Sequence, residues 1–559
     1  MKKQLILFIL LLFSFSVFSQ EIPFAAEPDW ESAADGQIAT GLGLADINGD
    51  GWKDLVVSNG NDIELQRVSV YYNIGDGSFP DYPDWESADI DYHGHLAVGD
   101  IDKDGWIDVA VSVYIGHGGF LDPGKVKVYY NTGGELESFP SFESASYHTF
   151  ACALGDADGD GDLDLATTGG EIYNSIYDVG RLYINRNGRF NSEADWTSSP
   201  AFGSIDVDFA DVDLNGYLDL VFTSEETPDY IFLADDSGVI GTNPSWQNAE
   251  TDNFNNSLDF GFLGTSGYPA VVTTGNSQLG GEGEVRMYNF ASGVPTSSVA
   301  DWTSEAIGYG SGILVADINL DGINDLVYSG WSLPIFIALG DEAGFELTPS
   351  YTSETSSVVE AIQMADLNRD GVSEYPFQKI FETGSNSVVY LDHQLIENIL
   401  WVSINGFPVS PAFYSFVPNK NYITFKDPLM PGDVLTVLYE YSEKPEIVIT
   451  NWDSQKGNYI FYNQGSTQVT APVSMVKGII QNIRPNPAEN IILVELYAPI
   501  KEQFEVSIRD VTGKVIFTKV YRNPKLTSSS IDISSFSDGT YFLEIKTAKH
   551  ADRKKFVIL

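Results

Sequence analysis

The chain has a single cysteine in 559 residues, Cys152, so no intrachain disulfide can staple it. Basic residues are scarce too: 30 Lys+Arg stand against 79 Asp+Glu, a formal net charge of -49. Long-range repulsion excludes nucleic acid and anionic membrane surfaces as partners. There are six histidines, and no Gly-x-Ser-x-Gly elbow, phosphate-binding loop or Cys/His zinc cluster. After the first twenty residues no apolar run reaches the roughly 20 residues of a membrane-spanning helix. A disordered acidic tail is excluded by what is present, since 43% of residues are hydrophobic and 13% aromatic. The charge therefore lies on folded domains, and a prior of about 150 residues per domain leaves room for three or four.

Lys2 and Lys3, the apolar stretch from Leu5 to Phe18 and the site Val17-Phe18-Ser19 predict a cleaved signal peptide over residues 1–19. An exported chain without disulfides needs another source of stability, and the repeats supply a candidate. An aromatic residue followed two positions later by a small or polar one recurs at Trp30, Trp85, Phe142, Trp196, Trp246, Trp302 and Tyr351. About fifteen residues after each begins an acidic loop, at Asp46, Asp100, Asp156, Asp211, a degenerate copy at Phe262, Asp317 and Asp366. The starts are separated by 54, 56, 55, 51, 55 and 49 residues. Each unit reads as four short strands with Gly and Asn at the turns and no helical period. Units of about 55 residues are too short for separate two-sheet domains of about 100. The expected fold class is therefore all-β: a seven-bladed β-propeller, its blades burying their faces on one another.

Five loops carry oxygen-bearing side chains at positions 1, 3, 5 and 9 and glycine at 6. They are Asp46, Asn48, Asp50 and Asp54; Asp100, Asp102, Asp104 and Asp108; Asp156, Asp158, Asp160 and Asp164; Asp211, Asp213, Asn215 and Asp219; and Asp317, Asn319, Asp321 and Asp325. Alternating carboxylates repel unless a cation relieves them. A glycine for the sharp turn and a set of oxygen ligands suit calcium rather than magnesium, which keeps its waters. In the fifth repeat Phe262, Gly264, Ser266 and Ala270 replace the ligands, so that copy is expected to be metal-free. The seventh has Asp366, Asn368 and Asp370, with Glu374 at the expected spacing for position 9. A second claimant is Glu446, because Glu446 to Asn451 matches Asp54 to Asn59 better than the residues after Glu374 do. About six structural Ca²⁺ ions are expected. An insert of about 70 residues accordingly interrupts the seventh blade. These loops resemble the FG-GAP/VCBS repeats of integrin-α-like propellers, and the resemblance implies a calcium-binding scaffold for adhesion or ligand binding.

The expected organisation is propeller over 22–376, β-rich insert over 377–445, completion of the last blade over 446–464, linker over 465–477 and a further module over 478–559. In the insert, Leu400 to Ile404 ends at Asn405-Gly406, and Tyr422 to Phe425 leads through Pro431-Gly432-Asp433 to Val434, which reads as two hairpins. From residue 477 the balance reverses to 13 Lys+Arg against 9 Asp+Glu. Pro485-Asn486-Pro487, Asp510 to Lys514, Gly539 to Phe542 and Lys554 to Val557 resemble the C-terminal sorting domain of type IX secretion, a β-sandwich. That resemblance implies engagement of the secretion machinery, then release or attachment at the cell surface.

Two functions fit this sequence. One is a non-catalytic scaffold for an extracellular glycan or protein. The other is a polysaccharide lyase or hydrolase on the same propeller. A lyase needs cations to neutralise an acidic substrate, and residues 22–376 hold only ten Lys+Arg. His93, His95 and His148 precede acidic loops on neighbouring units and are the candidates for acid–base work.

Overall fold

The computed structural model describes residues 22–465, apart from 250–253, 264–266, 279, 296, 342 and 382–385. It also describes 480–484, 491–496, 504–510, 514–521, 528–534, 536–537, 539–546 and 551–558. The expected signal peptide lies outside the described residues, as does the expected linker beyond Gly465. The chain divides into two compact units, Met1–Gln468 and Val469–Leu559.

In the first unit the strands form successive four-stranded antiparallel sheets. The first contains Ala39–Ala45, Asp54–Asn59, Ser69–Tyr71 and Trp85–Glu86 in that order. The next four repeat this plan, with first strands Tyr92–Gly99, Cys152–Gly155, Ser204–Ala210 and Phe254–Phe262. In the sixth, Asp325–Ala338 supplies both middle strands, and Tyr351–Ala365 runs on from the sixth sheet into the seventh. The first strands neighbour one another around a closed ring, that of the seventh sheet packing against Ala39–Ala45 of the first. The ring is latched by the earliest strand: Trp30–Glu31 pairs with Tyr459–Phe461 as the outermost strand of the seventh sheet.

Second strands such as Asp54–Asn59 and Asp219–Ser224 are buried at every residue, because both faces of each sheet meet a neighbour. First strands crowd at the centre: a Cβ on Gly155 would lie 2.7 Å from the ring of Phe209 on the next sheet. The aromatic-x-Ser segment has two tasks. Its aromatic crosses to the next sheet, as Trp85 meets Tyr129 edge-on at 6.3 Å and Trp196 meets Phe232 at 5.4 Å, contacts worth about 0.5–1.5 kcal/mol each. Its hydroxyl accepts the amide just before the third strand, as Ser87 Oγ does from Val68 N–H at 3.1 Å and Ser198 Oγ from Gly180 N–H at 2.9 Å.

The insert begins five residues earlier than expected, because Val372–Ile380 continues as a strand straight out of the seventh loop. It forms two sheets of its own. One contains Val372–Ile380, Val434–Ser442, Ile396–Ile404 and Phe407–Pro408; the other contains Asn386–Tyr390, Tyr422–Leu429 and Tyr414–Ser415. Their core joins Phe377, Ile396, Val402, Ile423, Phe425 and Val437. The hairpin at Asn405-Gly406 is present, with left-handed φ of 55° and 80°. Tyr422–Leu429 and Val434–Ser442 do not form the second expected hairpin: they enter different sheets, which lets Ile423 and Val437 face one core.

The second unit places Ile480–Arg484, Ile491–Leu496 and Ser528–Asp532 in one sheet. Phe504–Asp510, Val515–Tyr521, Gly539–Lys546 and Ala551–Ile558 form another. Ile492, Val506, Ile508, Ile531 and Leu543 share its core, the layering of a β-sandwich.

Candidate metal centres

Each acidic loop joins the first strand of a sheet to the second, so all of them lie at one end of the ring. The hairpin register fixes position 9, since the residue before position 1 pairs directly with it, as Ala45 does with Asp54 and Gly155 with Asp164. Inside the loop, backbone amides turn towards the carboxylates. In the first, Gly51 N–H donates to Asp46 Oδ2 at 2.8 Å, Asp50 N–H to Asn48 Oδ1 at 2.9 Å and Trp52 N–H to Asp50 Oδ1 at 2.9 Å. The sixth repeats this through Asp317, Asn319 and Asp321. The glycine at position 6 is required, with φ of 89° at Gly51, 93° at Gly105 and 94° at Gly216.

Position 9 is the anchor of each loop. Asp54, Asp108, Asp164, Asp219 and Asp325 are fully buried. One oxygen of each accepts the position 2 amide, at 2.9 Å from Ile47 and 2.8 Å from Ala157; the other accepts an amide at the end of the third strand, at 2.9 Å from Asn73 and 2.7 Å from Asn185. Those asparagines were missed in the sequence. Their side-chain amides reach across to the preceding sheet's loop and hold its position 2 carbonyl: Asn73 to Leu367 at 2.9 Å, Asn131 to Ile47 at 2.8 Å and Asn185 to Ile101 at 2.8 Å. The recurring Tyr72-Asn73, Tyr130-Asn131 and Tyr462-Asn463 were the available signal.

The carboxylates converge. In three loops, one oxygen each from Asp100, Asp102 and Asp108, from Asp156, Asp158 and Asp164, and from Asp211, Asp213 and Asp219 lie within 4.8 Å of one another. Asp100 Oδ1 and Asp156 Oδ1 are buried without a hydrogen-bond partner. Burial, reinforced by neighbouring acids, pushes the carboxyls up to about 7 at Asp54 and Asp156, about 6 at Asp100 and about 8 at Asp108. It holds Asp164 and Asp219 well above the ordinary range. Orphaned buried oxygens in an all-oxygen donor set fit a hard cation.

The seventh loop is assembled from two distant pieces. Glu374 lies exposed in the insert strand opposite Glu440 and does not complete the loop. Glu446 does: it is fully buried, accepts Leu367 N–H at 2.6 Å and Asn368 Nδ2–H at 2.9 Å, and pairs with Ala365 in the ladder. Spacing along the chain favoured Glu374, but the hairpin register requires the residue that opens the true second strand. In the fifth sheet, Gly264 and Ser266 lie outside the described residues; Ala270 takes the buried position 9, paired with Gly261.

At the centre of the ring is a cavity of about 240 Å³ whose lining includes His95, Asp206, Asp208, Asp259, Glu360 and the insert's Lys420. His95 Nδ1 lies 3.8 Å from Asp206 Oδ1, and Glu360 accepts Trp331 Nε1–H at 2.8 Å. His93 is fully buried with Nδ1 on the carbonyl of Asn59 at 2.9 Å, and His148 places Nε2 on the carbonyl of Phe120 at 2.8 Å. Of the three histidines considered for chemistry, His95 alone lines the cavity.

Residues 46–111 match the family described as FG-GAP-like repeat, and residues 482–559 the secretion system C-terminal sorting domain. The chain carries an FG-GAP-like repeat and ends in a secretion sorting domain. The sorting domain marks it for type IX secretion to the cell surface or the extracellular space, through the machinery of that system. The chain is 32% identical over 113 residues to integrin alpha-3 of Mus musculus and to that of Cricetulus griseus. The match covers 18% of this chain and 10% of each integrin, so the chain spans about a tenth of the length of these relatives. A crystal structure of BBS1N in complex with ARL6DN, soaked with lead, aligns with TM-score 0.40 and 9% identity over 63% of this chain and 93% of that one. A likeness so distant carries no argument. Among the described residues no helix is long and apolar enough to cross a membrane.

Proposed function

We propose that this chain is a calcium-stabilised, non-catalytic scaffold outside the cell that binds a glycan or protein ligand. The expected calcium ligands are the side chains at positions 1, 3, 5 and 9 of six loops, with Glu446 completing the seventh. A cation held by four chain ligands and the loop backbone staples the fold and leaves no open position for Lewis-acid chemistry. The observation that carries the reading is the difference between the two ends of the ring. The insert covers the loop end, whereas the opposite end presents an aromatic wall. There Tyr309, nearly half exposed, stacks on Trp331 at 6.3 Å, and Trp331 meets Trp452 at 5.1 Å. Aromatic bodies with polar tips are the residues that dominate recognition surfaces.

The test is a glycan array and a surface-protein overlay, each repeated with Tyr309→Ala. Binding that the variant loses, without new reducing or unsaturated ends in the bound polysaccharide, supports the scaffold. Turnover would support the enzyme reading, for which the specific observation is His95 beside Asp206 and Glu360 in the central cavity. That activity should vanish in His95→Gln.

A further inference from the structure

The insert is rooted in one acidic loop and seated on four others. The chain leaves the ring after Gly371 and returns at Glu446, so the seventh loop closes around both roots. From the roots outward, its contacts reach loop backbone. Ser387 and Val388 N–H both donate to Gly216 O, at 2.9 and 3.0 Å, and Ser415 Oγ–H donates to Gly161 O; both carbonyls belong to position 6 glycines. Tyr390 OH accepts the amide of Asp211 at 3.0 Å, and insert Glu397 accepts that of Asp366 at 3.1 Å.

Lysines bolt the assembly. Lys103, in the second loop, donates from Nζ to the carbonyl of the insert's Tyr414 at 2.9 Å. Lys53, in the first loop, is buried between Glu397 at 3.0 Å and Asn419 at 2.6 Å, both in the insert. Lys420 reaches the other way, from the insert into the central cavity, and pairs with Asp208. The insert thereby closes the loop-side mouth of the channel.

We infer that the insert is a calcium-dependent plug: metal in the acidic loops holds it on the ring, and withdrawal of the metal frees it and opens the central cavity from the loop side. The inference rests on the calcium reading above. The acceptors and donors that seat the insert are the amides and carbonyls of positions 1 and 6, whose placement depends on the carboxylates staying together. Without a cation those carboxylates repel and the loop relaxes. The sheets are held by strand ladders and apolar packing, so they outlast their loops. Local release before global unfolding is the expected order.

Hydrogen–deuterium exchange on the purified full chain, in Ca²⁺ and in EDTA, tests this, with bound Ca²⁺ counted by native mass spectrometry. The expected result is at least tenfold faster exchange at 386–391 and 414–422 in EDTA, while 55–58 and 220–223 remain protected. Insert and ring strands losing protection together, or neither changing, would overturn the plug. A chain that binds no Ca²⁺ would instead overturn the calcium reading. A second arm uses Lys53→Met with Lys420→Met in saturating Ca²⁺. The insert should exchange at least tenfold faster with the Ca²⁺ count unchanged, and parental protection would overturn the bolts.

Discussion

The fifth sheet and its six neighbours build the same hairpin from opposite materials. Where the second and third sheets place Asp108 and Asp164 at the buried position 9, the fifth places Ala270, and the register across the hairpin is unaltered. The hairpin register therefore holds at this point without acids, with Leu263 buried beside Ala270 in a core shared with the sixth sheet. The lesson is that the acids are not needed for the turn. They cost desolvation and repulsion, and on the proposed reading a bound cation offsets that cost.

Chelation tests this contrast most severely. Six sites, each contributing about 2.7 kcal/mol near 100-fold saturation, should together be worth roughly 15 °C in Tm; an unchanged melt in EDTA would remove calcium from the account. The chelated protein should then respond to pH with the opposite sign to an ordinary acidic protein. The carboxyls of Asp54, Asp108, Asp156 and Asp211 are raised from 3.8 to between about 7 and about 8. Protonated, they favour the folded state. Stability in EDTA is full below about pH 4 as far as these groups contribute, and is lost as pH rises through about 7 to 8. Urea titrations at pH 5 and pH 8 with and without Ca²⁺ read the reversal.

A smaller effect separates the two seventh-loop glutamates. Glu446→Gln should remove one Ca²⁺ and cost about 3 kcal/mol, the range for breaking a buried charged network, whereas Glu374→Gln should leave count and stability unchanged. Ala270→Asp probes the fifth sheet directly. One acid placed in an apolar turn should cost about 2 kcal/mol and bind no extra metal; a gained Ca²⁺ would erase the distinction between the sheets. Smallest is Asn131→Ala, which unpins the carbonyl of Ile47 in the neighbouring loop for about 1–2 kcal/mol, measured by thermal melt.

The repeat and its acidic loops were legible because both are local. A period near 55 and a ligand every second residue survive any arrangement of the rest. The seventh loop shows where locality ends: Glu374 satisfies the spacing and Glu446 satisfies the topology, and the resemblance of Glu446–Asn451 to Asp54–Asn59 is the clue that makes Glu446 a second claimant. Trp30 belongs to the seventh sheet although it opens the chain's first repeat, since ring closure leaves no trace in spacing. The seat of the insert was illegible for another reason. Gly161, Gly216 and Asp211 contribute backbone atoms to it, and backbone atoms are the same in every residue.

The latch has a temporal consequence. Trp30 pairs with Ile460, and Asp29 caps the amide of Tyr462 across 433 positions. Everything between them, six complete sheets and the insert, must exist before the ring can close. Each sheet is built of neighbours in sequence and can form as soon as its own segment emerges, but the clasp has the highest loop-closure entropy in the molecule. Loop-closure entropy makes it the pairing expected to form last, and a pulling force on the early residues is expected to break it first.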